Sequence, residues 1–304
     1  PDAWRWMFAI TIIPAVIIGY LRTKLPESAL WLQDRKEFEK ASHVIAEVLV
    51  KPQDKILALV KQDRYAQHSE LQKKVKFHEL FTRRYIRQTL LTSVPWFIMD
   101  ICLYGVGVFS AIILAAVYDY IAKPTDTLAQ SFILTAIRAT TGAMFLDIFL
   151  VIGFIAAIFS VKKMGTIRLQ NMGFLGMAVG LIILGLATHF KGTEAWVFVG
   201  FAIFNLMVNW GPNPTTYMLP TERFPPHIRA SGHGFASSAG KVGAAVGIFF
   251  LPVFIKSVGI APSMFILAGC AILGFIATAI LGVQPKHSGS HISHNDEHNP
   301  SQDH

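Results

Sequence analysis

An all-α integral membrane protein with seven transmembrane helices is the fold class these 304 residues predict. Three observations carry that prediction. Hydrophobic residues make up 53% of the chain and charged residues only 15%, well below the ~25% usual in soluble domains. Apolar runs of about 20 residues, the length that crosses a ~30 Å hydrocarbon layer, recur along the chain. The net charge of +8 is concentrated: between Arg22 and Arg87 there are 15 Lys/Arg against 9 Asp/Glu, a surplus of six in one connecting segment. Basic excess beside membrane spans is the positive-inside signature, so the charge calls for a lipid bilayer and not for nucleic acid.

The spans follow in order. Met7–Leu21 is the first, Thr89–Val117 the second and Gly142–Phe159 the third. Met172–Thr188, Ala195–Leu219, Gly232–Phe254 and Pro262–Val283 complete the seven. The long segment 22–87 belongs in the cytoplasm by its Lys/Arg excess. Phe38, Ala41, Val44, Ile45 and Val48 recur in it at helical spacing, the pattern of a short surface helix. Alternation then puts 118–135, 189–194 and 255–261 outside. It puts the basic turn Lys162–Arg168 and the segment 220–231, with Arg223 and Arg229, inside. Every inner loop carries basic residues, so the topology is self-consistent. Residues 285–304 read as a disordered cytoplasmic tail. Its His287, His291, His294 and His298 admit a metal reading, outweighed by that of a solvated tail. Cys102 and Cys270 both sit inside apolar runs and read as unpaired buried residues. The first span follows Pro1-Asp2-Ala3-Trp4-Arg5 with neither an initiator methionine nor a cleavage pattern, so the chain is expected to start mid-protein.

Charge inside the apolar spans is where function is expected. At 1.5 Å per residue Lys241 lies roughly 14 Å into its span, near the middle of the hydrocarbon layer. An ammonium there costs on the order of 3 kcal/mol or more unless it faces a polar cavity or a counter-charge, so intramembrane lysines mark ion and substrate pathways. Asp100 lies at a comparable depth. It shares a helix face with Trp96 and Tyr104, since the three recur every four residues. Gly211-Pro212 and Pro214 interrupt the fifth span, and such breaks are tolerated where backbone is buried in protein or lines a cavity. An oxyanion wants charge-assisted donors, and Lys241, Tyr104, Trp96 and Asn213 supply an ammonium, a phenol, an indole N–H and an amide. Asp100 is an acid able to gain and lose a proton in a cycle. The plain alternatives are packing for Trp96 and Tyr104, repair of the broken backbone for Asn213, and a structural ion pair for Asp100 with Lys241. Gly234, Gly240, Gly243, Ala244 and Gly247 form a small-residue stripe that reads first as helix packing. Asp147, in the outer part of the third span, reads as a partner for Arg138 or as a proton relay. No nucleotide-binding glycine loop, nucleophile–base pair or metal-ligand cluster occurs outside the tail, which excludes an enzyme and calls for no cofactor.

Two signatures name a family. LPESALWL (25–32) resembles the PES-x-x-W-L segment that follows the sixth helix of major facilitator superfamily transporters. TERFPPHIRASGHG (221–234) resembles the E-x-F-P-x-x-x-R segment between their tenth and eleventh helices. The likeness covers 1–283. It implies that 1–21 is the last helix of an otherwise absent N-terminal bundle, 22–87 the central cytoplasmic loop and 88–284 the C-terminal six-helix bundle. Within that superfamily the chain is most similar to phosphate–proton symporters. The W-x3-D-x3-Y pattern of Trp96, Asp100 and Tyr104 resembles their seventh helix, GPNPTT (211–216) their tenth, and HGFASSAGKVGA (233–244) their eleventh. The Gln-Gln pair and Asn of typical sugar porters are missing. This resemblance implies that Trp96, Asp100, Tyr104, Asn213 and Lys241 form half of a phosphate site, with Asp100 coupling protons, in a plasma-membrane transporter. One departure stands out. Lys162 and Thr166 occupy places where the family's eighth-to-ninth-helix turn carries an acid and an arginine, which puts a gating contact in doubt. A sugar, organic-anion or other metabolite carrier of the same fold is the alternative; a non-transporting half-transporter or receptor is the third reading.

Overall fold

A computed structural model describes residues 3–24, 29, 32, 37–49, 57, 77–118, 128–190 and 194–283. The chain forms two compact units, Pro1–Lys74 and Val75–His304. In the first unit, α1 (Ala3–Lys24) and α2 (Phe38–Leu49) are the described helices of any length. The described side chains of α1 are exposed all round, Ile10, Ile13, Ile17 and Leu21 among them. A helix apolar on every face suits lipid or other helices and not water. The helical spacing seen around Phe38 forms α2, which buries Ala41 and Ser42 on one side and carries the surface pair Lys40–Glu37 at 2.6 Å on another.

The second unit opens with a 3-10 turn, Phe77–Phe81, and continues with α3 (Ile86–Tyr118), α4 (Leu128–Met164), α5 (Thr166–His189), α6 (Glu194–Trp210), α7 (Pro212–Arg223), α8 (Pro226–Val258) and α9 (Ile260–Gly282). Among the described residues six stretches are long and apolar enough to cross a membrane: Ile86–Ala115, Ile133–Met164, Thr166–His189, Glu194–Arg223, His227–Val258 and Ile260–Gly282. They correspond in order to the second through seventh spans expected from the sequence; α1, which contains the first, is not among the six. The third span begins earlier than expected. α4 starts at Leu128, because LAQSFILTAIRATT (128–141) mixes polar with apolar residues and so hides its helical character from a hydropathy reading.

Glycine sets the sharp corners. Gly165 (φ 77°) and Gly259 (φ 91°) take left-handed backbone between α4 and α5 and between α8 and α9, where a side chain would be strained. Gly211 breaks the fifth span with φ −113° and ψ −93°, and Pro212, whose missing N–H costs nothing at a first turn, restarts it as α7. α8 packs chiefly on α3, α9 on α5 and α3, and α5 and α4 on α6. Met99, Cys102 and Val106 of α3, Phe174 and Leu181 of α5, Phe201 and Phe204 of α6 and Met264 of α9 fill the core. Both cysteines are free thiols. Arg87 ties the first helix of this unit to the last. Its guanidinium donates to the carbonyls of Leu281 and Ile280, both at 3.1 Å, and to that of Val283.

Candidate functional site

The α3–α8 contact brings four of the five expected residues to one place. Trp96 and Asp100 are buried on α3, Tyr104 is half-buried a turn further on, and Lys241 is exposed near the midpoint of α8. Small residues allow this approach. At Gly243 and Gly247 a Cβ would run into the backbone carbonyls of Phe97 and Ile101. At Gly240 it would lie 2.6 Å from Trp96 Nε1 and 3.0 Å from Asp100 Oδ2, so only a glycine leaves both polar atoms room. The packing reading of the stripe therefore holds at Gly240, Gly243 and Gly247. At Gly234 a Cβ would meet nothing within 4 Å.

The polar groups of this site are poised and unspent. Lys241 Nζ donates to the Tyr104 hydroxyl at 3.4 Å and lies 5.2 Å from that ring's centroid. It makes no ion pair with Asp100 within 4.0 Å, which argues against a structural tie between the two helices. Trp96 Nε1 and Asp100 Oδ2 are buried without a protein hydrogen-bond partner. A buried donor and a buried carboxylate oxygen each cost free energy when unpaired, on the order of 1–3 kcal/mol or more for the charged group. Buried groups of this kind are exceptions in a folded protein and call for an explanation.

Asn213 stands apart from the lysine. Its amide donates to Asn209 Oδ1, and Asn209 in turn donates to the Leu150 carbonyl at 3.0 Å. Asn205 does the same one turn earlier, to Leu146 at 3.0 Å. Asn205, Asn209 and Asn213 form a ladder four residues apart, in which the first two stitch α6 to α4 and the third ties α7 to α6. The four-residue polar spacing inside an apolar span was its available signal, and only Asn213 was singled out. Tyr217 and His233 are two further residues that sequence reasoning missed. The Tyr217 ring meets Trp96 edge-on at 4.5 Å between centroids, and His233 meets Trp96 at 5.8 Å. Tyr217 lies four residues after Asn213, hence on the same helix face.

A second polar layer lies deeper in the bundle. Gln170 donates to Thr278 Oγ1 at 2.9 Å and accepts from Thr215 Oγ1 at 2.8 Å, and all three are fully buried. The turn carrying Thr166 in place of an arginine still reaches Glu222. Thr166 Oγ1 lies 2.7 Å from each carboxylate oxygen and donates to that group. At this turn a neutral hydroxyl, not a guanidinium, meets the carboxylate. Asp147 and Arg138 are both exposed on α4 and do not pair; nine residues of helix separate them by roughly 13.5 Å, beyond side-chain reach. No group of three or more metal-ligating side chains occurs among the described residues, and the tail histidines fall outside them.

Over residues 1–289 the sequence matches the family model described as Sugar (and other) transporter. A protein of Oryza sativa subsp. japonica named probable inorganic phosphate transporter 1-8 is 29% identical over 297 residues, covering 91% of this chain and 53% of that protein. Probable inorganic phosphate transporter 1-6 of Arabidopsis thaliana is 29% identical over 290 residues, covering 90% and 53%. The chain spans about half the length of the relatives it matches. Among solved structures, the major facilitator superfamily proton:xylose symporter XylE bound to 6-bromo-6-deoxy-D-glucose superposes with a TM-score of 0.70 at 18% identity, over 90% of this chain and 55% of that one. A partially occluded inward-open form of XylE from E. coli gives 0.62 at 18% identity, over 95% and 57%. The likeness to these structures is one of fold.

Proposed function

Since the chain belongs to the sugar (and other) transporter family of the major facilitator superfamily, we propose that its six-helix bundle is one half of a proton-coupled inorganic phosphate transporter of the plasma membrane. It is a multi-pass membrane transporter protein and not an enzyme. The observation that carries the phosphate reading is the grouping on α3 and α8. An ammonium braced by a phenol stands on the open face of the bundle, beside a buried indole N–H and a buried carboxylate that lack partners. The names of the relatives support the same substrate.

In this reading Lys241 and Tyr104 hold the tetrahedral oxyanion and Trp96 donates to it, while Asn213 is spent on Asn209 and braces the α6–α7 break. Asp100 takes up a proton with the substrate, which removes a negative charge that would otherwise repel the incoming anion. Alternating access needs a second bundle to rock against this one around a midplane site. The relatives are about twice as long as the matched region, which is room for it. The second reading is a sugar carrier of the same fold. The Trp96, Tyr217 and His233 rings favour it, since a pyranose packs well on aromatic faces.

Binding of phosphate, arsenate, sulfate and a neutral hexose to wild type and Lys241→Ala separates the two. The phosphate reading expects Lys241→Ala to lose a charge-assisted contact of ~1.5–3 kcal/mol, roughly 10- to 150-fold in affinity. Lys241→Arg restores only part of that, because a planar guanidinium needs different room from a compact ammonium. Tight hexose binding without phosphate binding in the wild type overturns the phosphate assignment and leaves the transporter fold intact.

A further inference from the structure

We propose that His233, with Tyr217 and the edge of Trp96, forms a second station for the transported oxyanion, one whose hold is switched by the protonation of His233. The proposal rests on the phosphate reading above and deepens it. Its geometric ground is a step along α8. His233 precedes Lys241 by eight residues, about 12 Å of helix toward the α8 N-terminus. The lysine and its phenol have counterparts at the histidine level. Tyr104 lies beside Lys241, while Tyr217 and Trp96 lie beside His233, with centroids 6.5 Å and 5.8 Å from the imidazole. Trp96 belongs to both levels, because Gly240 admits its Nε1 next to Asp100 Oδ2 and its ring faces Tyr217 and His233.

The chemistry of the lower level is that of an anion site. An imidazolium, a phenol and an indole all donate, and none of the three supplies a fixed positive charge. No hydrogen bond joins the His233 ring or the Tyr217 hydroxyl to any described residue, and Trp96 Nε1 is buried unpartnered. One ring cluster thus carries three donors without protein acceptors. The lysine binds at every physiological pH and would retain an anion; a histidine one step along can take it and then let go. By the sequence topology the α8 N-terminus is cytoplasmic, so the station lies on the release side. Protonated, the imidazole adds a positive charge to the cluster; neutral, it adds none, and the hold on the anion weakens.

Other titratable and charged groups lie on the elements packed against α8, and the test must separate them. They are Tyr85 just before α3, Arg87, Asp100, Cys102 and Tyr104 on α3, Tyr217, Glu222 and Arg223 on α7, His78 and Glu79 in the 3-10 turn, and Cys270 on α9. On α8 itself they are His227, Arg229, Lys241 and Lys256. His227 is engaged elsewhere, at 3.3 Å from the Tyr85 hydroxyl. Asp100 is the rival, as the acid nearest to Trp96.

The experiment measures inorganic phosphate and sulfate binding by calorimetry to the 304-residue chain in lipid nanodiscs, from about pH 5 to about pH 8, the range in which an imidazole changes charge. Sulfate stays divalent throughout, so its pH dependence belongs to the protein. Wild type is expected to bind roughly 10-fold more weakly at the upper end. Because Asp100 is itself expected to take up a proton with the anion, Asp100→Asn is the background for the comparison, and the pH dependence that remains in it is expected to come from His233. In that background His233→Gln should bind weakly at both ends, with the remaining pH dependence gone. His233→Lys, which keeps a cation at every pH, should bind tightly at both, and it carries the test should the glutamine variant fail to fold. Lys241→Ala should weaken binding at every pH. A pH profile unchanged by His233→Gln or His233→Lys, or none left in Asp100→Asn alone, overturns the station while the lysine site stands. Absence of phosphate and sulfate binding in the wild type, with hexose bound instead, overturns both readings together.

Discussion

Two polar layers are buried in the same bundle, and they are finished differently. Gln170, Thr215 and Thr278 join α5, α7 and α9 in a chain of hydrogen bonds in which the amide's oxygen and nitrogen both find hydroxyl partners. Trp96 and Asp100, as deeply buried on α3, leave an indole N–H and a carboxylate oxygen open, beside a lysine that touches only a phenol. Both layers are costly to desolvate in a membrane protein. The first recovers that cost at once as interhelical adhesion, whereas the second holds it in reserve for something that arrives. Burial of polar groups therefore does not separate these two layers; the state of their hydrogen bonds does.

That contrast can be broken by substitution. The largest effect is expected for Asp100→Asn in the transport-competent protein. Proton-driven uptake should fall to background while phosphate binding and exchange survive in part, because the amide keeps the shape but cannot titrate. Uptake under an imposed pH gradient reads this directly, and transport equal to the parent's removes Asp100 from the coupling. Next comes Gln170→Leu, which removes two buried interhelical hydrogen bonds while Thr215 and Thr278 each keep a backbone carbonyl acceptor four residues back. A loss of ~1–3 kcal/mol in stability should appear as a lower melting temperature, with the phosphate affinity of the folded protein unchanged. Coupled losses of affinity and stability would show that the two layers are one. Gly240→Ala should push on Trp96 and Asp100 together, costing affinity more than stability; a stability loss beyond the ~1–3 kcal/mol of ordinary overpacking would reassign that glycine to packing alone. Trp96→Phe is expected to do least to the fold, within about 1 kcal/mol, since it deletes an N–H that has no protein partner. A few-fold loss of phosphate affinity is still expected, and thermal melts with calorimetry in parallel resolve it.

Much of the open layer was legible because it runs along single helices. Trp96, Asp100 and Tyr104 keep a four-residue spacing, and the lysine stands alone in an apolar stretch, so periodicity and hydropathy are enough to find them. The break at Gly211-Pro212 was equally plain, since glycine and proline act on the backbone locally. The closed layer was invisible. Gln170, Thr215 and Thr278 are unremarkable in their own segments and acquire meaning only when three helices pack together. His233 sat within a quoted motif and Tyr217 directly after one, yet nothing in one dimension says that their rings reach Trp96. The early start of α4 escaped for the opposite reason, because its first turns are too polar to look like a membrane helix at all.

The Arg87 claw has a topological consequence. Because it grips the last carbonyls of α9 from the first turns of α3, the bundle's entry and exit points are adjacent, and the order of helices closes like a ring. Neighbouring ends are what permit a folded unit to be inserted or permuted as a whole. A circularly permuted bundle, cut between α4 and α5 and joined across the claw by a short flexible linker, would keep every interhelical contact described above, and so would give up its chain order without giving up its architecture.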